Sequence, residues 1–169
     1  MDHQILIEKM ADNVRSIQQL VDGISPAQAV WKPRLEDWSI LEVITHLADE
    51  ERLDFRVRLD LMLHDPQAAW PPIDPGGWVT ARRYQQRSLA VSLKNFVEER
   101  FASLAWLRSL EDPDWQAGVE APWGQFTAGE MFAAWVTHDT LHMRQLVELI
   151  HAWIVRQAEP YDPQYAGDW

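Results

Sequence analysis

His138 and His142 stand four residues apart, and His46 stands in an earlier segment of similar helical character. On an α-helix a spacing of four is about 400° of rotation and about 6 Å of rise, so the two imidazoles project side by side from one face. A pair like that can chelate a metal ion, although histidines also fall four apart by chance on surfaces and in cores. The surrounding residues favour the metal. Met131, Trp135 and Leu146 continue the same face of that helix, which turns both rings into an apolar interior where unpaired polar groups are costly.

His46 supplies a third nitrogen. It lies seven residues beyond Ser39, while His138 and His142 lie eleven and fifteen beyond Thr127, so two helices that start alike bring their histidines to compatible depths. Val43 and Leu53 share His46's side of its helix, and Glu50 follows one turn later. Three histidines leave a coordination position open, the arrangement of a catalytic centre and not of a structural one. Imidazole ligation suits zinc, nickel, copper or iron, and spacing does not choose among them. Glu50 is the candidate general base or outer partner of His46, with a plain solvated glutamate as the alternative. Gln145, one turn past His142, is a candidate for bonding a ligand or the substrate. Trp38, Trp78 and Trp123 come from connections expected near the site and are candidate pocket walls. His3 at the terminus, His64 at a helix end and His151 on the opposite face from His142 are not expected to ligate.

Composition narrows the chemistry further. The 169 residues contain no cysteine, so any metal must sit on nitrogen and oxygen ligands, and neither a disulfide nor a cysteine nucleophile is available. A net charge of −11 opposes nucleic acid as a partner, because affinity for phosphate backbones comes from lysine and arginine. No stretch approaches the roughly 18 apolar residues that span a bilayer, and the N-terminus lacks a secretory pattern, so a cytoplasmic protein with a small-molecule substrate is the expectation. One domain is expected over 1–169.

Four helices are expected to position these residues, at about 3–22, 39–63, 81–110 and 127–156. Ile7, Met10, Val14, Ile17 and Val21 draw one apolar stripe along the first, and Ser25-Pro26 offers a further single turn. Ser39 with Glu42, and Thr127 with Glu130, form capping boxes at the starts of the second and fourth. Leu89, Leu93, Phe96, Arg100, Leu104 and Leu107 trace the face of the third. Between 64 and 80 the prolines argue against a regular helix, and the length suits a crossover. A second irregular stretch is expected over 111–126, and the tail from 157 is expected to lie against the surface or a neighbouring chain. Bundles with apolar outer stripes often pair, so a homodimer is an expectation.

Trp31-x-Pro33, Trp38-Ser39-Ile40-x-Glu42, His46-Leu47-x-x-Glu50 and His138-x-x-x-His142-x-x-Gln145 together resemble the DinB-like superfamily of metalloenzymes, over nearly the whole chain. The resemblance implies an all-α four-helix bundle in up-down-down-up order, with a long crossover between helices two and three. It also implies a divalent metal, zinc or nickel, near one end of the bundle, with His46, His138 and His142 matching its ligands. Family members that are understood use the metal to lower the pKa of a low-molecular-weight thiol and transfer it to an electrophile. A thiol-dependent S-transferase is therefore the first expectation, a metal-dependent hydrolase the second, and a non-catalytic metal-binding domain that binds a small ligand or dimerises the third.

Overall fold

The computed structural model describes residues 2–121 and 124–167. The first long helix, α1 (His3–Val21), begins where the Asp2 carboxylate accepts from the Ile5 N–H. A short α2 (Pro26–Val30) follows, capped by Ser25 with proline in its first turn. The second long rod starts on the Ser39–Glu42 capping box as α3 (Ile40–Glu50), passes through one π-helical turn over Glu51–Phe55, and continues as α4 (Arg56–His64). The third and fourth are α6 (Leu89–Ser109) and α7 (Ala128–Ala158), the latter opened by the Thr127–Glu130 capping box.

Chain directions follow from two apolar clusters stacked along the bundle. One gathers Ile7 and Met10, Leu59 and Met62, Leu104 and Leu107, and Met131 to Val136; the other gathers Val14 to Val21, Ile40 to Ala48, Phe96, and Leu146 with Leu149. Numbers rise from the first cluster to the second along α1 and α7, and fall along the other two, which is an up-down-down-up bundle. The second and third long helices therefore run parallel, and only a long crossover can join them.

That crossover holds a helix which its prolines were expected to forbid. Segment α5 (Pro75–Ala81) forms because Pro75 occupies a first-turn position, where its missing N–H costs nothing, and the Asp74 carboxylate accepts from the Gly77 N–H at 3.0 Å. Helix α6 begins at Leu89 and not near 81, because Arg83 takes a left-handed conformation (φ 52°) and a 3₁₀ turn spans Tyr84–Gln86. The stretch before α7 holds an antiparallel hairpin, β1 (Gly118–Ala121) and β2 (Gly124–Thr127), with Val119 opposite Phe126 and both packed on the first cluster. Four-residue strands are too short to show alternation in sequence. In the tail, the Tyr165 side chain is fully exposed, so it does not lie against this chain. Among the described residues no helix is long and apolar enough to cross a membrane.

Candidate metal centre

Between the two apolar clusters lies a polar layer, and the three histidines sit in it, not at an end of the bundle as the resemblance implied. Metal-binding side chains can be tolerated there because neighbours in the same layer are polar and bonded. His46 comes from α3, His138 and His142 from α7. Their Nε2 atoms converge, with His46 to His142 at 3.1 Å, His46 to His138 at 3.3 Å and His142 to His138 at 3.0 Å. Among the described residues these three side chains together could hold a metal ion.

Protons alone cannot settle this geometry. Each neutral imidazole Nε2 is either a donor or an acceptor, so among three mutually touching atoms at least one pair must be alike and repel. His142 adds a constraint: its Nδ1–H donates to Gln145 Oε1 at 2.8 Å, which leaves a lone pair on Nε2. A tetrahedral ion with nitrogen bonds of about 2.0–2.1 Å spaces its ligands about 3.3 Å apart, close to what is seen. Burial pushes His46 down to about 2 and His138 down to about 3, assisted by the neighbouring imidazoles, and lowers His142 as well. All three rings are thus neutral and ready to ligate at neutral pH without first losing a proton. The donor set and spacing fit a divalent transition-metal ion.

Glu50 is buried, 4% exposed, and stands behind His46: its Oε1 lies 3.9 Å from Nδ1, the ring nitrogen that faces away from the trio. Neither His46 Nδ1 nor Glu50 Oε1 has a hydrogen-bond partner among the described residues. Burial, with Asp54 nearby, raises the Glu50 carboxyl to about 8. Trp38 presents its ring at 4.8 Å from His46 and lies parallel to His142 at 6.4 Å. It also lines a groove of about 700 Å³ with Pro33, Asp37, His142, Gln145 and Glu148. Trp78 goes elsewhere: it lies on α5 with the Arg82 guanidinium 4.0 Å above its ring, and no contact with the trio is found for it among the described residues. Trp123 lies outside the described residues.

Other histidines keep structural posts. His3 is not frayed but stacked on Trp115 at 4.1 Å, and His64 Nδ1 meets the Asp60 carboxylate at 2.9 Å. Phe55, which no spacing rule singled out, packs its ring 5.0 Å from that of His138. Its position follows from the π turn, and π turns recur at functional sites.

Comparison with known proteins agrees with this architecture. Among solved structures, YfiT from Bacillus subtilis, described as "a probable metal-dependent hydrolase with an unusual four-helix bundle topology", superposes with a TM-score of 0.77 at 23% identity, over 88% of this chain and 85% of that one. Such identity speaks for the fold alone. No curated protein sequence matches the chain. The family model of the DinB superfamily matches residues 11–146, a span that contains all three histidines and both capping boxes, and the chain belongs to that superfamily.

Proposed function

We propose that the chain is a divalent-metal-dependent hydrolase acting on a small molecule, with His46, His138 and His142 as its ligands. The convergence of three Nε2 atoms within 3.0–3.3 Å carries this reading, since no arrangement of protons satisfies all three contacts and a cation satisfies them at once. A zinc or nickel ion held there supplies Lewis acidity and lowers the pKa of water toward neutrality.

The chain's own side chains supply the rest. Gln145 fixes the His142 tautomer so that the Nε2 lone pair faces the trio. Glu50 sits on the Nδ1 side of His46, so of its two expected roles, orienting that ring suits it better than taking a proton from substrate. Trp38, Pro33 and Leu149 give the groove an apolar wall, while Glu36, Asp37 and Glu148 place carboxylates along it, with Arg34 drawn onto Asp37 at 2.8 Å. Those carboxylates, on a chain of net charge −11, disfavour a low-molecular-weight thiol that carries carboxylates of its own, and to that extent favour water over thiol as nucleophile. The description of YfiT as a metal-dependent hydrolase supports the same choice.

Metal analysis of the purified chain is expected to find stoichiometric zinc or nickel. Hydrolysis of a panel of activated esters and amides is expected without added thiol, and is expected to vanish on chelation or in His138→Ala. Turnover only in the presence of an added thiol would replace water by thiol. Absence of stoichiometric metal would leave a non-catalytic helical domain.

A further inference from the structure

Arg100 is 1% exposed, and each of its five N–H groups has an acceptor. Nη1 and Nη2 grip Asp139 at 2.7 Å each; Nε and Nη2 grip Glu51 at 2.8 and 3.0 Å; Nη1 also reaches the Met10 carbonyl at 3.3 Å. The two carboxylates are held from elsewhere too. Asn13 Nδ2 donates to Asp139 at 3.0 Å, and Trp135 Nε1 donates to Glu51 at 2.8 Å. One guanidinium on α6, a long helix that contributes nothing to the trio, thus binds the other three long helices at a single level.

We propose that Arg100 is a positioning residue for the histidine trio, fixing the register between the two helices that carry it. Asp139 is the residue after His138, and Glu51 follows Glu50, one turn and one residue beyond His46. Two forks on one planar guanidinium set the depth and rotation of both helices together, which apolar layers do not. Sliding α7 by a turn, about 5.4 Å, keeps apolar side chains in apolar surroundings but pulls Asp139 off Arg100. Apolar side chains of similar volume would pack as well as such a cluster or better, so a buried ionic group is best explained by the arrangement it specifies. A second path reaches the same ring. Trp135, bonded to Glu51, stacks on Phe55 at 5.8 Å and 5°, and Phe55 packs on His138. The π turn begins at Glu51, the residue whose carboxylate Arg100 grips.

The affinity arm of the test rests on the trio being a metal site, whereas the geometric arm does not. Three variants grade the disturbance: Trp135→Phe removes one N–H, Arg100→Lys keeps the charge without the fork, and Glu51→Gln/Arg100→Met/Asp139→Asn removes all charge at similar volume so that a folded protein is retained. Zinc affinity by chelator competition is expected to fall by about 10-fold or more for the lysine and triple variants and by less for Trp135→Phe. Crystal structures of the metal-free variants are expected to show at least one Nε2 separation opened well beyond 3.3 Å, with helix content by circular dichroism unchanged. A merely structural role would lower melting temperature and leave spacing and affinity alone. Folded variants that keep the wild-type spacing overturn the proposal. If wild-type protein binds no zinc, the metal reading falls by itself, and the spacing in the variants still decides this one.

Discussion

The polar layer of this bundle holds two clusters that adjoin on α7, where His138 belongs to one and Asp139 to the other, and they are opposites. Around Arg100, five donors meet five acceptors and nothing is left over. Around the histidines, three nitrogens crowd within 3.0–3.3 Å with no proton arrangement that suits them all, while His46 Nδ1 and Glu50 Oε1 have no hydrogen-bond partner among the described residues. The Arg100 cluster is fully buried and the trio, with His138 and His142 half-buried, nearly so, and both join helices distant in sequence. A satisfied network is a structural specification, whereas an unsatisfied one that adjoins it on α7 is held for something that arrives later.

The largest expected difference between the clusters is in pH. A histidine whose folded pKa lies below the ordinary 6.5 contributes stability that is present above 6.5 and is lost as pH falls toward the folded value. His46, held down to about 2, and His138, to about 3, both behave so in the metal-free protein. Each costs up to about 1.4 kcal/mol per pH unit below 6.5, and replacing both with asparagine is expected to flatten the acid limb of a urea-denaturation series. Glu50 has the opposite sign: raised from 4.5 to about 8, its contribution is complete below 4.5 and is lost as pH rises toward 8. Glu50→Gln is therefore expected to flatten the alkaline limb. An acid limb unchanged by loss of both histidines would mean that the trio is not held neutral by the fold.

Next in size is a direct exchange of roles. Arg100→Met leaves two buried carboxylates unpaired and is expected to cost about 3–5 kcal/mol of metal-free stability in urea denaturation. His138→Ala removes a member of a cluster that is already discontented, and is expected to change metal-free stability by about 1 kcal/mol or less. Metal affinity reverses the ranking for His138→Ala, with an expected loss of more than about 100-fold, beyond what removal of an outer partner causes. Equal destabilisation by the two substitutions would erase the contrast between the clusters.

The two clusters were not equally legible in sequence. His138 and His142 declare themselves by their spacing, and His46 by its distance from a cap like theirs, because both capping boxes form as the residues demand. Arg100 was visible only as a charged interruption of the stripe from Phe96 to Leu104, and a long basic side chain at such a place usually reaches for solvent. Its partners lie on three other helices, so nothing local identifies Glu51 or Asp139 as its acceptors. The π turn opens at that same Glu51, and no local pattern marks it in sequence. In the crossover the Asp74-Pro75 cap starts a helix that the prolines around it conceal in sequence. Trp78 comes from a connection expected near the pocket, but its ring lies under the Arg82 guanidinium instead.

The smallest effect expected is at the seam between satisfied and unsatisfied. Gln145 Oε1 accepts a hydrogen bond at the back of a trio ring, at 2.8 Å from His142 Nδ1. Removing it in Gln145→Ala frees the proton to move between the two ring nitrogens, so a fraction of His142 would carry its hydrogen on Nε2 and face the trio with a donor. Outer partners of this kind are worth about 10–100-fold in metal affinity. The alanine variant is expected to lose that much by chelator competition, with its melting temperature close to wild type because the side chain is only half-buried. Gln145→Glu restores an acceptor and adds a negative charge behind the ring, which makes the imidazole a better ligand, so its affinity is expected to equal or exceed that of wild type. If alanine and glutamate bind metal alike, the His142 tautomer is set by the trio itself, and the open cluster is more self-sufficient than its crowded nitrogens suggest.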